Sequence, residues 1–345
     1  MAHDLLKKLV KEHQLVREDW EALLTHPSPE LMHDAQELAV ELREPIYGKN
    51  VFIRGLIEIS NICRNDCYYC GIRKSNLNVS RFRLSADQIM SCCENGHKFG
   101  FRTFVLQGGE DAFYTDDFLC ALLGKIHHRF PDCAITLSLG ERSSTSYRRL
   151  FEAGTNRYLL RHETATAEHY AEMHPSKMSY TNRMLCLSDL KVLGYQAGAG
   201  FMVGSPGQTV ARLAADMCFL QNFRPAMIGI GPFISQGDTP FAKEKNGSAE
   251  LTLYLLSLIR IMHPHVLLPA TTALNTLLPN GAQRGMQAGA NVVMPNLSPV
   301  SCREKYTLYD HKACTGIESI EGVELLQKQM AEIGYKVVIN RGDYK

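Results

Sequence analysis

The sequence lacks a large net charge of either sign. Its 345 residues include 37 lysines and arginines against 36 aspartates and glutamates, which gives a formal charge of +1. Binding to nucleic acid or to an anionic membrane surface relies on a strong positive field, and this chain does not supply one. We therefore expect a small-molecule substrate, and neither nucleic acid nor a membrane as a partner.

The sequence also lacks a long hydrophobic run. Its most apolar helix candidate, Leu251–Met262, is interrupted by Thr252 and Ser257 and, at about a dozen residues, is too short to span a bilayer. The first residues, Met1–Lys11, alternate charged and apolar side chains and do not form the apolar stretch of a secretion signal. These absences predict a buried core helix and a cytoplasmic protein.

No low-complexity linker divides the chain, and 45% of its residues are hydrophobic, so we expect one large folded core. Residues 1–48 have a helical period, as in Ala35–Arg43, and are interpreted as an N-terminal helical extension. Residues 49–310 form the main domain. Residues 311–345 form a short C-terminal tail with one helix, roughly Glu321–Ile333.

The main domain repeats a short apolar run, a turn and a helical stretch. Candidate strands lie near 51–59, 103–107, 134–139, 157–161, 197–203, 227–231, 266–271 and 290–294. Candidate helices are Ala86–Phe99, Asp116–Phe130, Thr181–Leu193, Thr209–Asn222 and Ala249–Met262. Because each return crosses over through a helix, the strands should be parallel. This α/β pattern predicts a (β/α)8 TIM-type barrel, with an open doubly wound sheet as the alternative.

Three cysteines follow directly on the first strand, at Cys63, Cys67 and Cys70. Three thiolates in one loop can hold three irons of a 4Fe-4S cluster and leave the fourth iron open for chemistry. No other cysteine lies nearer to them than Cys92, so a fourth local ligand is missing. Scattered thiols or part of a zinc site are the alternatives.

With Tyr69 before the last cysteine, this loop resembles the signature of the radical S-adenosylmethionine (SAM) superfamily. The resemblance implies one 4Fe-4S cluster whose open iron is chelated by SAM, and reductive cleavage of SAM to a 5'-deoxyadenosyl radical. It also implies an oxygen-sensitive enzyme. In such enzymes the protein orients the cofactor and excludes water, while the radical step belongs to the cofactor.

The residues expected to hold SAM follow successive strands. Two glycines after the second strand allow a ligand to approach the backbone, although a plain turn would also use them. A small-residue stretch around Met202 suits adenine, or equally a turn with Thr209 as helix N-cap. The resemblance implies that Glu163 contacts the ribose and Arg183 the carboxylate; from sequence alone Arg183 could be a surface residue. The full set of SAM-binding candidates is Tyr69, Gln107, Gly108, Gly109, Glu110, Ser138, Glu163, Arg183 and Met202.

Several longer stretches resemble one branch of this superfamily, the HydE family of FeFe-hydrogenase maturases. They are Ile57–Arg73, Val105–Asp111, Thr136–Glu141, Arg157–Thr164, Gly229–Phe233 and Pro269–Thr272. This resemblance implies an iron-bound, cysteine-derived substrate, a role in assembling the diiron part of the hydrogenase active site, and transient contacts with other maturation proteins and an electron donor. It also implies that substrate carboxylates are anchored by Arg161, Thr271, Thr272, Tyr306 and Tyr309. The residues themselves leave open whether Arg161 instead pairs with Glu141 or Glu163.

One departure concerns a second cluster, which some relatives hold on three cysteines near the C-terminus. This chain has only Cys314 there, so we expect a single cluster. Cys302 is near the barrel mouth, and the other cysteines should be packing residues. The alternatives to HydE-type activity are a methylornithine-synthase-like or other radical SAM enzyme, and a non-catalytic iron-sulfur carrier or scaffold. Biotin synthase fits less well, because only Cys133 lies near a strand.

Overall fold

The computed structural model describes residues 2–314 and 316–345, so Met1 of the predicted extension and Thr315 of the predicted tail lie outside it. Its strands are β1 (Asn50–Ile53), β2 (Gly55–Ser60), β3 (Thr103–Gly108), β4 (Ala134–Ser138), β5 (Arg157–Leu159), β6 (Gln196–Ala199), β7 (Met202–Val203), β8 (Met227–Ile228), β9 (Gly231–Pro232), β10 (Val292–Val293) and β11 (Lys336–Val338).

Its helices are α1 (Ala2–Glu12), α2 (Arg17–Leu24), α3 (Pro29–Tyr47), α4 (Ala86–Lys98), α5 (Asp116–Arg129), α6 (Ser144–Glu152), α7 (Ala167–Met173), α8 (Tyr180–Val192), α9 (Val210–Phe223), α10 (Ala249–Met262), α11 (Thr272–Leu277), α12 (Gly281–Gln287), α13 (Val300–Arg303) and α14 (Val323–Glu332). Short 3-10 turns occupy Gly316–Glu318 and Ile320–Gly322. None of the helices in these ranges is long and apolar enough to cross a membrane.

The barrel is a closed ring of parallel strands. β2, β3, β4, β5, β6 and β8 pair in that order, and isolated parallel bridges carry the ring on from Met227 to Leu267 and from Pro269 to Val292. β10 then pairs with β1, and Leu56 of β2 pairs with Asn296, which closes the ring. The predicted (β/α)8 TIM-type barrel is confirmed, and the open-sheet alternative is wrong.

Capping residues explain where the barrel helices begin. Ser85 and Gln88 form a capping box at α4, and the Thr209 side chain accepts a hydrogen bond from the Arg212 backbone at 3.2 Å. The predicted N-cap role of Thr209 is therefore confirmed. The predicted α10 helix is buried from Thr252 to its end, because it lies between the barrel and α3 of the N-terminal extension.

The C-terminal tail closes the end of the barrel opposite the carboxyl ends of the strands. β11 pairs in parallel with β1, with Val337 opposite Val51. Beyond it, the buried Arg157 guanidinium donates to the Arg341 and Gly342 carbonyls at 3.1 Å and to Asp343 Oδ1 at 2.6 Å. The sequence predicted only the tail helix; this floor was not predicted, because β11 has just three residues.

Candidate active site

A cavity of about 370 Å³ opens at the carboxyl ends of the barrel strands and extends into the barrel. Every residue that the sequence singled out for the cluster, for SAM or for substrate lines this one cavity. These residues are far apart in sequence but lie close together, because all strands of a parallel barrel have their carboxyl ends at the same rim.

The cysteine loop is shaped by a buried network that the sequence did not reveal. The guanidinium of Arg81 donates to the carbonyl of Asn61 at 2.5 Å, to that of Ile72 at 2.8 Å, to that of Arg73 at 2.6 Å and to that of Asn76 at 2.9 Å. Cys63 Sγ accepts from two backbone amides, those of Asn65 and Glu110, each at 3.4 Å. Arg81 therefore fixes the path of the loop, and backbone amides face the sulfur that should carry charge.

The donor set of this loop fits a 4Fe-4S cluster with one open iron. The loop offers three thiolates, Cys63, Cys67 and Cys70, and all three line the cavity. A structural zinc site is closed by four protein ligands, whereas a cubane held by three thiolates keeps one iron open to a ligand in the cavity.

Burial disfavours the ionised form of all three thiols. Burial raises the pKa of Cys70 to about 12, with the neighbouring charge of Cys63 adding to the effect. Burial also raises the pKa of Cys67 and Cys63. Thiolates are the ligand form, so cluster binding releases protons from this loop.

The Gly-Gly-Glu segment packs directly beneath the cysteine loop. A Cβ at Gly109 would lie 2.3 Å from the Ile62 carbonyl oxygen and 2.8 Å from Cys63 Cβ, so only glycine fits there. The Glu110 carboxylate accepts from Arg64 Nε at 2.7 Å and from the Glu141 amide at 2.9 Å. A SAM contact by Glu110 stays a prediction, and the contact would share oxygens that already have protein partners.

Glu163 is held in a rare backbone conformation. Its φ is +64°, in the left-handed region that a non-glycine residue seldom adopts. Its carboxylate accepts from Arg161 Nη2 at 2.7 Å, so the pairing left open by the sequence does occur, with Glu163 and not with Glu141. Arg161 Nε is buried and has no partner among the described residues.

Arg183 is buried at the cavity wall, which rules out the surface alternative. Its exposed fraction is 6%. Arg183 Nε donates to Glu141 Oε1 at 2.6 Å, and its Nη1 donates to the Arg161 carbonyl at 2.6 Å. Arg183 is thus a rigid part of the wall that contains Arg161 and Glu163.

The remaining SAM candidates form the less polar part of the wall. Tyr69 lines the cavity with its hydroxyl 3.1 Å from His174 Nε2, and burial lowers the pKa of that histidine to about 4. Met202 lies in an apolar cluster with Met173 and Phe233. The others are Gln107, Gly108 and Ser138, which lie at the ends of β3 and β4.

The substrate candidates differ in how free their polar atoms are. Thr271 Oγ1 is buried and unpartnered within the described chain. Thr272 Oγ1 instead donates to Glu318 Oε2 at 2.6 Å, so its proton is already used. Tyr306 accepts from Gln107 at 3.4 Å, and burial raises the pKa of both Tyr306 and Tyr309.

Three charged residues of the wall were missed: Arg54, Glu58 and Lys312. Glu58 is the one acidic side chain in β2, a strand whose six residues are all buried, and that isolated charge was a usable signal. Lys312 forms an ion pair with it from the segment that follows α13. No sequence pattern marked Lys312.

Comparisons with known proteins identify the family of this chain. Residues 57–220 match the family model of the radical SAM superfamily. The [FeFe] hydrogenase maturase subunit HydE of Thermotoga maritima is 42% identical over 300 residues, covering 87% of this chain and 85% of that protein. The 3-methylornithine synthase of Methanosarcina acetivorans is 26% identical over 306 residues, covering 88% and 86%.

Solved structures support the fold. A methylornithine synthase (PylB) superposes with a TM-score of 0.86 at 24% identity, covering 97% of each chain. The maturase HydG superposes with a TM-score of 0.79 at 20% identity, covering 97% of this chain and 75% of that one. These relationships confirm the predicted radical SAM enzyme, with a 4Fe-4S cluster and SAM as its cofactors. With the cysteine loop, the cavity and a relative at this identity all in agreement, the chain belongs to the HydE family of the radical SAM superfamily.

Proposed function

We propose that this chain cleaves SAM reductively and uses the resulting radical in the assembly of the diiron part of the FeFe-hydrogenase active site, on a cysteine-derived, iron-bound substrate. The observation that carries the proposal is the single cavity, which joins the cysteine loop at its mouth to Arg161 and Thr271 on its wall. The 42% identity to HydE supports the same activity.

The cluster, when bound by Cys63, Cys67 and Cys70, supplies the electron that breaks a sulfur-carbon bond of SAM. The protein holds SAM in place for that step. Glu163 offers a carboxylate to the ribose hydroxyls, and Arg183 offers a planar guanidinium to the SAM carboxylate. The apolar surface around Met202 packs against adenine and keeps water away from the reacting atoms.

At the substrate end, the unpartnered atoms define what can bind. Arg161 Nε and Thr271 Oγ1 both lack partners among the described residues and line the cavity, so an anionic ligand would satisfy them. We assign the carboxylate anchor to these two. Thr272 supports that anchor less directly, because its hydroxyl proton is donated to Glu318.

A 3-methylornithine synthase activity is the second candidate, because such an enzyme is 26% identical over most of this chain. Anaerobic reconstitution followed by reduction in the presence of SAM tests the SAM cleavage that both candidates share, since either enzyme forms 5'-deoxyadenosine. Complementation of a host that lacks HydE then separates hydrogenase maturation from methylornithine synthesis. A triple Cys63→Ala, Cys67→Ala, Cys70→Ala variant is the control for both steps.

We further propose a cytoplasmic location and transient contacts with an electron donor and with other maturation proteins. The near-neutral charge of the chain supports a partner other than nucleic acid. Co-purification with a tagged hydrogenase maturation protein from anaerobic cells tests the contacts, and cell fractionation tests the location.

A further inference from the structure

Most charged groups of the cavity wall have a charged partner. Arg161 pairs with Glu163, Arg183 with Glu141, and Lys312 with Glu58. A few buried atoms of the wall remain without a partner in the described chain: Arg54 Nε and Nη2, Arg161 Nε, Thr136 Oγ1, Thr271 Oγ1 and Glu58 Oε2. In this set Glu58 Oε2 is the atom that, when ionised, can only accept a hydrogen bond.

Glu58 is fixed from several directions. Its side chain is 0% exposed, and its backbone N–H donates to Ser298 Oγ at 2.7 Å. One carboxylate oxygen, Oε1, accepts from Lys312 Nζ, which also donates to the Tyr306 carbonyl oxygen at 3.1 Å. The side chain therefore cannot turn to satisfy its second oxygen without breaking a buried ion pair.

A buried acceptor without a hydrogen bond costs free energy. We therefore expect the donor for Oε2 to arrive with the ligand. Lys312, in the segment that follows α13, does not supply this donor, because it is already committed to Oε1. The Asn296 side chain also interacts with the Glu58 carboxyl group, yet Oε2 has no hydrogen-bond partner among the described residues. Glu58 lines the same cavity as Arg161 and Thr271, so a single ligand that fills this cavity meets all three side chains.

We propose that Glu58 is a specificity-determining residue that binds the amino group of an α-amino acid substrate, while Arg161 and Thr271 bind the carboxylate of the same molecule. This inference rests on the proposed function and adds the requirement for a free or metal-bound amino group. A site built to hydrogen-bond a donor discriminates strongly against the analogue that lacks it, because its own buried group is then left unpaired.

The test compares two probes that differ only in the amino group, L-cysteine and 3-mercaptopropionate. Binding is measured by anaerobic calorimetry on reconstituted, SAM-loaded protein. The parent protein should prefer L-cysteine by roughly ten-fold or more. In Glu58→Gln the amide oxygen turns to Lys312, which can only donate, so an N–H₂ group then faces the ligand and the preference should disappear.

Glu318→Gln is the matched control. Glu318 is also buried, but both of its oxygens are already used, one by Thr272 and one by Asn275, and it does not line the cavity. Its loss should change binding of the two probes by the same factor, because both carry a carboxylate. The ratio of the two affinities should stay at the parent value.

A second variant covers the case in which Glu58→Gln does not fold. Glu58→Met combined with Lys312→Met replaces the buried pair by apolar side chains and should fold while losing the same preference. The proposal is overturned if the parent shows no preference for L-cysteine, or if the preference survives in the folded Glu58 variants. Formation of 5'-deoxyadenosine is followed in every variant, so failure of the SAM-cleaving function itself would be seen separately.

Discussion

At the scale of single residues, the surrounding structure holds Glu163 of the cavity wall in a strained backbone conformation. Its positive φ costs conformational energy that a residue chosen for stability alone would avoid. The sequence identified Glu163 only because it follows a strand and matches a family position. Its backbone N–H donates to the Gly200 carbonyl at 3.0 Å, and Glu163 forms a bridge with Phe201, both in the segment between β6 and β7; no local pattern indicates these contacts.

Glu163→Gln should weaken SAM binding by about ten-fold or more, since the amide keeps the shape but loses charge-assisted hydrogen bonds. Equilibrium titration of SAM into the reconstituted protein measures this. Glu250→Gln, in an exposed pair with Arg284, is the control and should bind SAM like the parent protein. Parental affinity in Glu163→Gln would remove this residue from the SAM site.

Replacing Cys63, Cys67 or Cys70 by Ala should abolish both the cluster and SAM cleavage. Cys314→Ala should leave the iron content at about four atoms per chain, the content of one cluster. Iron analysis with electron paramagnetic resonance checks both statements. About eight irons per chain, with a cluster signal persisting in the triple variant, would show that a second cluster exists.

Arg161→Lys should keep the cluster and SAM binding but fail to mature hydrogenase. The ammonium retains the charge but cannot reproduce the planar donor set that serves Glu163 and leaves Nε for a ligand. Hydrogenase activity after complementation is the measurement, with 5'-deoxyadenosine formation as the parallel check. Maturation at the parental level would contradict the carboxylate anchor.

At the scale of elements, the sequence predicted the long, capped segments well. The bounds of α4, α5, α9 and α10 agree with those predicted to within a residue or two, because their N-caps and apolar periods are local signals. The short α7 and the three-residue β11 were not predicted. β11 is a strand only because β1 offers it an edge, so the interaction that creates it is not in its own sequence.

The contact between the C-terminal tail and Arg157 leads to a stability prediction. Asp343→Asn leaves the buried Arg157 guanidinium without its charged partner. Because Asp343 is itself 40% exposed, we expect a loss of roughly 1–2 kcal/mol, less than for a fully buried pair. Urea unfolding of the reconstituted protein measures it. Asp117→Asn, whose pair with Arg149 is exposed, is the control, and equal midpoints for the two variants would contradict the prediction.

Acidification should reproduce that loss. Arg157 and Arg341 hold the pKa of Asp343 below its ordinary value, against the raising effect of burial. A lowered pKa contributes stability at pH values above about 4, and that contribution is lost as the pH falls through the lowered value. The stability difference between the parent and Asp343→Asn should therefore shrink below about pH 4.

At the scale of the whole molecule, the cavity is assembled from the ends of nearly all the barrel strands. The sequence located its rim, since parallel strands place their carboxyl ends together. It could not locate the pairs inside, because Glu58 and Lys312 are separated by most of the chain and meet only after the ring closes. The chemistry of the rim was therefore predictable, whereas the internal pairing that selects a ligand was not.

The pairing of β1 with β10 and β11 also sets the order in which the molecule can fold. Residues 50–53 must wait for partners at 292–293 and 336–338, which are synthesised roughly 240 and 286 residues later, so the ring closes through contacts of very large sequence separation. Until then the cysteine loop, which follows β2, belongs to an open sheet. Because β11 closes the end of the barrel opposite the cysteine loop, the addition of this last strand leaves the loop open to iron and sulfide.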